Sequence, residues 1–247
     1  MNILLVTSEV TFMPLNYSSL IKNTIKSNIE DIKGLLLIEN LNLNTIKSTF
    51  GLRYVGAKNI SNQLFKNMLS LRNDERVKVC QEYNIPILKS KSVNSSKVKE
   101  WLKTNKIDLI LNLRTRCIYK KDVLKIPNIG CYNIHHGVLP KYRGTMCDLF
   151  ALSEGRNPGF SIHKMTTKID AGDIFETHEI EYKGKNYFEY LSKTQTHEIS
   201  AVNRFIAKIK KNKNEITMIK NICINPVMTK TPNLSQVKTL IKKGMIL

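Results

Sequence analysis

The chain reads as an α/β protein, a mostly parallel sheet flanked by helices with a small C-terminal appendage, and three observations carry that expectation. Apolar runs of strand length recur through the first half, segments of helical periodicity separate them, and after Gly159 the pattern changes to two alternating strands. Strands interleaved with helices call for βαβ crossovers and a sheet covered on both faces.

Strands are expected at Asn2 to Val6, Gly34 to Ile38, Ile85 to Leu88, Ile107 to Leu113 and Gly130 to Ile134. Helical periodicity marks Leu64 to Tyr83 and Ser96 to Thr104, the second holding the single Trp101. GFSIHKM and IFETHEIEY read as two alternating strands joined by TTKIDAGD, a hairpin-like extension of the sheet. A long helix is expected from Lys185 to about Lys211, then a short strand ITMIK and, after Pro226 and Pro232, a last short helix. The main domain therefore takes residues 1–182 and the appendage residues 183–247.

Composition narrows the function classes. The net charge of +19 invites a nucleic-acid reading, because basic surfaces release counterions on binding phosphate backbones. The lysines are scattered, however, and the one dense cluster, KIKKNKN at Lys208 to Asn214, suits a solvated helix end, so no nucleic-acid partner is expected. A nucleotide diphosphate would suit a basic cleft equally well. Cys80, Cys117, Cys131, Cys147 and Cys223 are odd in number and contain no CxxC pair, which fits reduced thiols in the cytoplasm better than disulfides or zinc. MNILLVTSEV is too short and lacks the basic start of a signal peptide, and no apolar stretch approaches the roughly 20 residues of a membrane span, so no insertion into a membrane is expected. With neither GxGxxG nor a P-loop, nicotinamide and ATP are disfavoured, and no metal is expected.

The chemistry concentrates in CYNIHHGVLPKYRG. Asn133 and His135 stand two apart on a strand and so share a face. In a parallel sheet the carboxyl ends of the strands form the ligand crevice. An amide there can donate to an oxygen that gains negative charge, while an imidazole manages a proton or donates as well, the equipment of acyl transfer without a covalent intermediate. Asp170 in KIDAGDIF adds a carboxylate on a tight Ala-Gly loop that can approach the imidazole and raise its pKa.

NIHHGVLPKYRG followed by GFSIHKMTTKIDAGDIF resembles the folate-dependent formyltransferase family, which includes methionyl-tRNA, glycinamide ribonucleotide and sugar N-formyltransferases. NIPIL and IDLILNLRTRCIYKKDVLKIPNIGCYN extend the resemblance upstream in order and spacing. It implies a Rossmann-like formyltransferase fold, with Asn133 and His135 stabilising a tetrahedral intermediate and Asp170 orienting or tuning His135 through water. It implies N10-formyltetrahydrofolate as co-substrate, the pterin being received by the loop Arg114, Thr115, Arg116, Cys117, Ile118 to Tyr119, with Asp173 either beside the cofactor or supporting Asp170. His136, read mainly as a turn residue, joins Lys141, Arg143, Thr145 and Met146 as residues near the second substrate, while His163 reads as a satisfied strand histidine.

Within the family the short tail resembles the sugar N-formyltransferases. That implies a nucleotide-linked amino sugar as substrate, such as dTDP-4-amino-4,6-dideoxyglucose for the O-antigen of lipopolysaccharide, and a homodimer through the C-terminal segment. A methionyl-tRNA formyltransferase and a formyltetrahydrofolate hydrolase are the alternatives.

Overall fold

The computed structural model describes residues 1–211 and 216–247. Among the described residues the strands in chain order are β1 Ile3–Ser8, β2 Ile32–Ile38, β3 Ile87–Ser90, β4 Leu109–Leu113, β5 Gly130–His135, β6 Tyr142–Gly144, β7 Gly159–Lys164, β8 Ile174–Glu179 and β9 Val227–Thr229. The helices are α1 Ser18–Ser27, α2 Leu43–Tyr54, α3 Lys58–Leu69, α4 Glu75–Glu82, α5 Ser96–Thr104, α6 Lys121–Leu124, α7 Cys147–Ser153, α8 Tyr187–Lys211 and α9 Leu234–Lys242. A 7-stranded sheet runs in the order β3-β2-β1-β4-β5-β7-β8. β1 to β5 pair in parallel, and the hairpin β7–β8 continues the sheet antiparallel to β5, as the alternating pattern after Gly159 anticipates. The strand order reverses between β1 and β4, which places a crevice at their carboxyl ends.

Each sheet face has its own core. Leu5, Leu35, Leu111, Tyr132 and Ile134 pack with α1 and α8, while Leu4, Val6, Leu36, Ile110 and Cys131 pack with α5 on the opposite face. The alternation along β5 divides core from crevice: Tyr132 and Ile134 face α8, so Asn133 and His135 face away from it.

Several boundaries differ from the sequence reading. The helix expected over Leu64 to Tyr83 is two helices. Asp74 separates them, because its carboxylate caps α4 at the Arg76 amide (2.9 Å) and holds the buried Arg76 guanidinium. That guanidinium in turn donates to the Ser8 and Glu9 carbonyls at the carboxyl end of β1, so the break ties the helices to the crevice. The strand expected at ITMIK is a single bridge between Ile219 and Ile174. The KIKKNKN cluster runs past Lys211 into residues 212–214, which lie outside the described residues.

The expected appendage, residues 183–247, begins with a helix whose side chains join the main core. Tyr187, Tyr190, Leu191, Ala201, Val202, Phe205 and Ile206 of α8 recur every three or four positions and are completely buried in the same core as the sheet. The chain beyond α8 rejoins that core, since Val237 and Leu240 of α9 together with Met245 and Leu247 are buried in the same cluster. β9 then pairs in parallel with β6, and α9, opened by a capping box at Asn233, lies against α2.

Candidate active site

β5 delivers Asn133 and His135 to the carboxyl end of the sheet, and antiparallel pairing sets His163 of β7 directly across from Asn133. The loop before β8 supplies Asp170, whose φ of 46° is left-handed, a conformation Asp tolerates better than most residues. Asp170 Oδ2 lies 3.4 Å from His135 Nδ1, and Oδ1 lies 3.3 Å from His163 Nε2. One carboxylate thus bridges two imidazoles, and the Gly144 N–H donates to it at 2.8 Å. Gly144 has to be glycine: its φ is +102°, and a Cβ would sit 2.0 Å from the Thr229 carbonyl of β9.

The orientation of the Asn133 amide is set by its neighbours. Thr115 Oγ1 donates to Asn112 Oδ1 (2.6 Å), so Asn112 presents its NH2 to Asn133 Oδ1 (2.8 Å). Asn133 therefore turns its own NH2 toward His163 Nε2, at 3.3 Å, and toward the carboxylate cluster. Burial holds the His135 pKa below its ordinary value against the pull of Asp170. Burial also opposes the charged form of Asp170, but His135, His163 and the Gly144 amide outweigh it and bring the carboxyl down to about 2. The cluster is a neutral imidazole held by an ionised carboxylate, beside an amide whose donor is aimed into the same space.

The sequence family described as formyl transferase matches residues 13–206, well over half of the chain. The chain belongs to the formyl transferase family. It is 37% identical to the methionyl-tRNA formyltransferase of Kosmotoga olearia over 116 residues, 47% of this chain and 37% of that protein. The chain spans less than half the length of the curated relatives it matches. Among solved structures, a sugar N-formyltransferase from Shewanella sp FDAARGOS_354 superposes with a TM-score of 0.60 at 13% identity, covering 98% of this chain and 88% of that one. The formyltransferase PseJ from Anoxybacillus kamchatkensis, in complex with UDP-4,6-dideoxy-4-formamido-L-AltNAc and tetrahydrofolate, superposes with a TM-score of 0.52 at 18% identity, covering 67% and 85%. These likenesses establish the formyltransferase fold for the mostly parallel sheet and its flanking helices.

In this formyl transferase His136 does not open toward a ligand. One position past His135, it points to the α8 face, where Nδ1 lies 2.9 Å from Asp148 Oδ2 and Nε2 meets Glu198 Oε1. Arg114 lies 3.6 Å from Asp148 and also contacts His136, Tyr187 donates to Asp148 Oδ1 (3.0 Å), and Tyr17 donates to Glu198. Asp148 and Glu198 are completely buried. Burial pushes both toward protonation, but His136 and Arg114 prevail and hold them below the ordinary carboxylate range. Burial and Arg114 oppose the charge on His136, and the two carboxylates overcome them and raise its pKa. The result is two cations balanced by two anions inside the protein.

The other expected site residues lie in four places. Arg114, at φ 64°, turns its guanidinium into that buried network, and Thr115 is spent on Asn112; Arg116 and Ile118 stay exposed, and Cys117 lies 3.7 Å from Ser92 Oγ. Lys141 is exposed beside the Tyr142 ring, Thr145 joins β9 through Thr229 and Thr231, and Met146 packs at the start of α7. Arg143 donates to the side chain and carbonyl of Asn221 (both 3.1 Å), and Asn221 donates to the Asp170 carbonyl (2.9 Å), so Arg143 supports the Asp170 loop. Asp173 pairs with Lys220 at 2.7 Å and lines a recess with Lys164 and Tyr132 away from His135.

Sequence reasoning misses His163, Asn112, Asn221, Asp148 and Glu198. For His163 a signal exists: its parity on an antiparallel partner of β5 aims it at Asn133.

Proposed function

We propose that this chain transfers a formyl group from N10-formyltetrahydrofolate to the amine of a nucleotide-linked amino sugar, dTDP-4-amino-4,6-dideoxyglucose being the substrate to try first, as a step toward the O-antigen. The observation that carries the reading is the single carboxylate of Asp170 bridging His135 and His163 beside the aimed Asn133 amide. The folate donor supplies an activated formyl carbon. The Asn133 NH2 donates to the formyl oxygen as the attacking amine builds negative charge on it, a contribution of the size that costs about 100- to 1,000-fold in kcat when one such donor is lost. His135, kept neutral by burial and oriented by Asp170 at Nδ1, would turn Nε2 from the Tyr142 carbonyl (2.9 Å) to accept the amine proton there and return it to the departing nitrogen.

The irregular loop from Arg114 to Tyr119, which holds Asn112 through Thr115, is the proposed seat of the pterin, received through backbone groups. Lys141, Arg143, Thr145 and Met146 and the β6–β9 ribbon border the side on which the nucleotide sugar would enter. Two findings support the sugar over tRNA. One of the solved neighbours that span nearly the whole chain, tail included, is a sugar N-formyltransferase, and another neighbour holds a nucleotide-linked formamido sugar with tetrahydrofolate. The methionyl-tRNA reading rests on the higher identity of those relatives over a shorter stretch.

A tetrahydrofolate-release assay with dTDP-4-amino-4,6-dideoxyglucose, its 3-amino isomer, UDP-linked amino sugars and methionyl-tRNA separates these. Turnover with a sugar nucleotide, abolished by His135→Ala, is expected. Turnover with methionyl-tRNA alone overturns the sugar assignment, and release without any amine identifies a hydrolase. We also take the enzyme to be a cytoplasmic homodimer, and light scattering on the purified protein tests the dimer.

A further inference from the structure

α2 is a helix whose apolar stripe faces outward. Leu43, Ile46, Phe50 and Tyr54 are exposed by 74%, 37%, 57% and 92%, and at helical spacing they fall within an arc of about 80°. The opposite side, with the buried Thr49 and the half-buried Leu52 and Thr45, faces the protein. Single exposed apolar residues are ordinary, but four in a row on one helix face are not. Leu41 before the helix and Leu69 at the end of α3 are exposed as well.

The charge around this stripe is of one sign. Residues 40–73 contain no Asp or Glu, while Lys47, Arg53, Lys58, Lys66 and Arg72 are all present and exposed. Lys47 and Arg53 border the stripe on its two sides at helical spacing. Among the described residues none of these five cations lies within ion-pair distance of a carboxylate. Arg53 donates only to the neutral Asn62 amide.

We propose that α2 and the start of α3 form a surface that docks on an anionic phospholipid bilayer. A helix lying in the membrane interface buries an apolar stripe of Leu, Ile and aromatic side chains at the boundary of the acyl chains and sets its Lys and Arg among anionic headgroups. Leu43, Ile46, Phe50 and Tyr54 supply the first, and Lys47 and Arg53 supply the second on both flanks. The chain's net charge of +19 adds long-range attraction to the same surface. A nucleic acid would use the cations but leave the aliphatic stripe in water. A second copy of this chain would cover the stripe but bring two unneutralised basic patches together. The contact is peripheral and inserts no helix, in keeping with the absence of any described helix long and apolar enough to cross a membrane.

The test is co-sedimentation of the full chain with phosphatidylcholine vesicles, with and without about a third phosphatidylglycerol, at about 0.15 M salt. Wild type is expected to bind the anionic vesicles at least tenfold more tightly than the neutral ones. Lys47→Glu with Arg53→Glu should weaken binding by about 25-fold or more, roughly fivefold per charge removed, and Leu43→Ser with Phe50→Ser by about tenfold. Both pairs replace exposed side chains, and an unchanged urea midpoint confirms that they fold. Lys99→Glu with Lys103→Glu on α5 removes equal charge elsewhere and should cost clearly less.

Equal losses from the α5 and α2 charge variants overturn the proposal, as does indifference to the stripe variant. It also fails if wild type ignores both vesicle types while binding duplex RNA through Lys47 and Arg53. A dimer in light scattering that Leu43→Ser with Phe50→Ser dissociates, without vesicle binding, assigns the stripe to a second copy instead.

Discussion

His135 and His136 are neighbours in the chain, and each meets a carboxylate, yet the two are built for opposite ends. The strand alternation of β5 sends His135 to the crevice, where burial keeps it neutral beside Asp170, Asn133 and His163. His136, the first residue past β5, turns to the α8 face, where Asp148 and Glu198 favour the charged form and Arg114 completes a balanced set. The two rings are buried alike, at 4% and 7% exposure, so what separates them is the number of carboxylates around each. One carboxylate leaves a buried imidazole with a lowered pKa, as the proposed proton acceptor needs; two carboxylates make the other a buried ion pair.

Exchange of function for stability between the two positions is the strongest way to break this contrast. His135→Gln is expected to lower kcat/KM for formyl transfer by about 1,000-fold or more, with little change in the urea midpoint, since it removes the proton acceptor and leaves packing intact. His136→Gln and Glu198→Gln should do the reverse. Each strands buried charge, at a cost of about 3–5 kcal/mol in urea unfolding, while the fraction that remains folded keeps most of its kcat. If His136→Gln abolishes activity in folded protein, the α8-face cluster acts on chemistry and the contrast fails. His163→Gln sharpens it from the crevice side. His163 Nε2 faces both the Asp170 carboxylate and the Asn133 amide, donating to the first when it carries a proton and accepting from the second when it does not, and it is not asked to take the substrate proton, so about a tenfold loss in kcat with near-normal KM is expected.

How much of this the sequence discloses depends on which interactions are local. The strands from β1 to β5, the hairpin after Gly159, and the pairing of Asn133 with His135 on one face rest on short periodicities, and each is readable from the order of residues alone. The role of His163 depends on which residue of β5 it faces, and that register is set by the whole sheet. Asp148 and Glu198 lie on two helices far apart in sequence, where an isolated carboxylate gives no hint of burial; nothing short of α8 docking on the sheet brings them to His136. The same docking turns the expected appendage into core. α2 is obscured for a different reason. Its apolar residues keep a helical spacing, but the stripe faces outward, which the rule that apolar faces turn inward does not anticipate.

Titration gives the finest test of the contrast, because the two histidines are displaced in opposite directions from the same ordinary value of 6.5. His135 is lowered, so its neutral form persists below pH 6.5, and the acid limb of kcat/KM should have its midpoint below that value. Asp170 is the group that pulls the His135 pKa up, so Asp170→Asn should move the limb of the residual activity further down, and a shift upward would contradict the assignment. His136 is raised on folding. Its contribution to stability is therefore complete below pH 6.5 and is lost as pH climbs through the raised folded-state value. Urea midpoints from pH 6 upward should fall in wild type for this reason, and the part of the slope that His136→Gln removes is the part this histidine supplies. If that variant keeps the full slope, the charge inside the α8-face cluster resides on other groups, and neutral His136 is held there by packing alone.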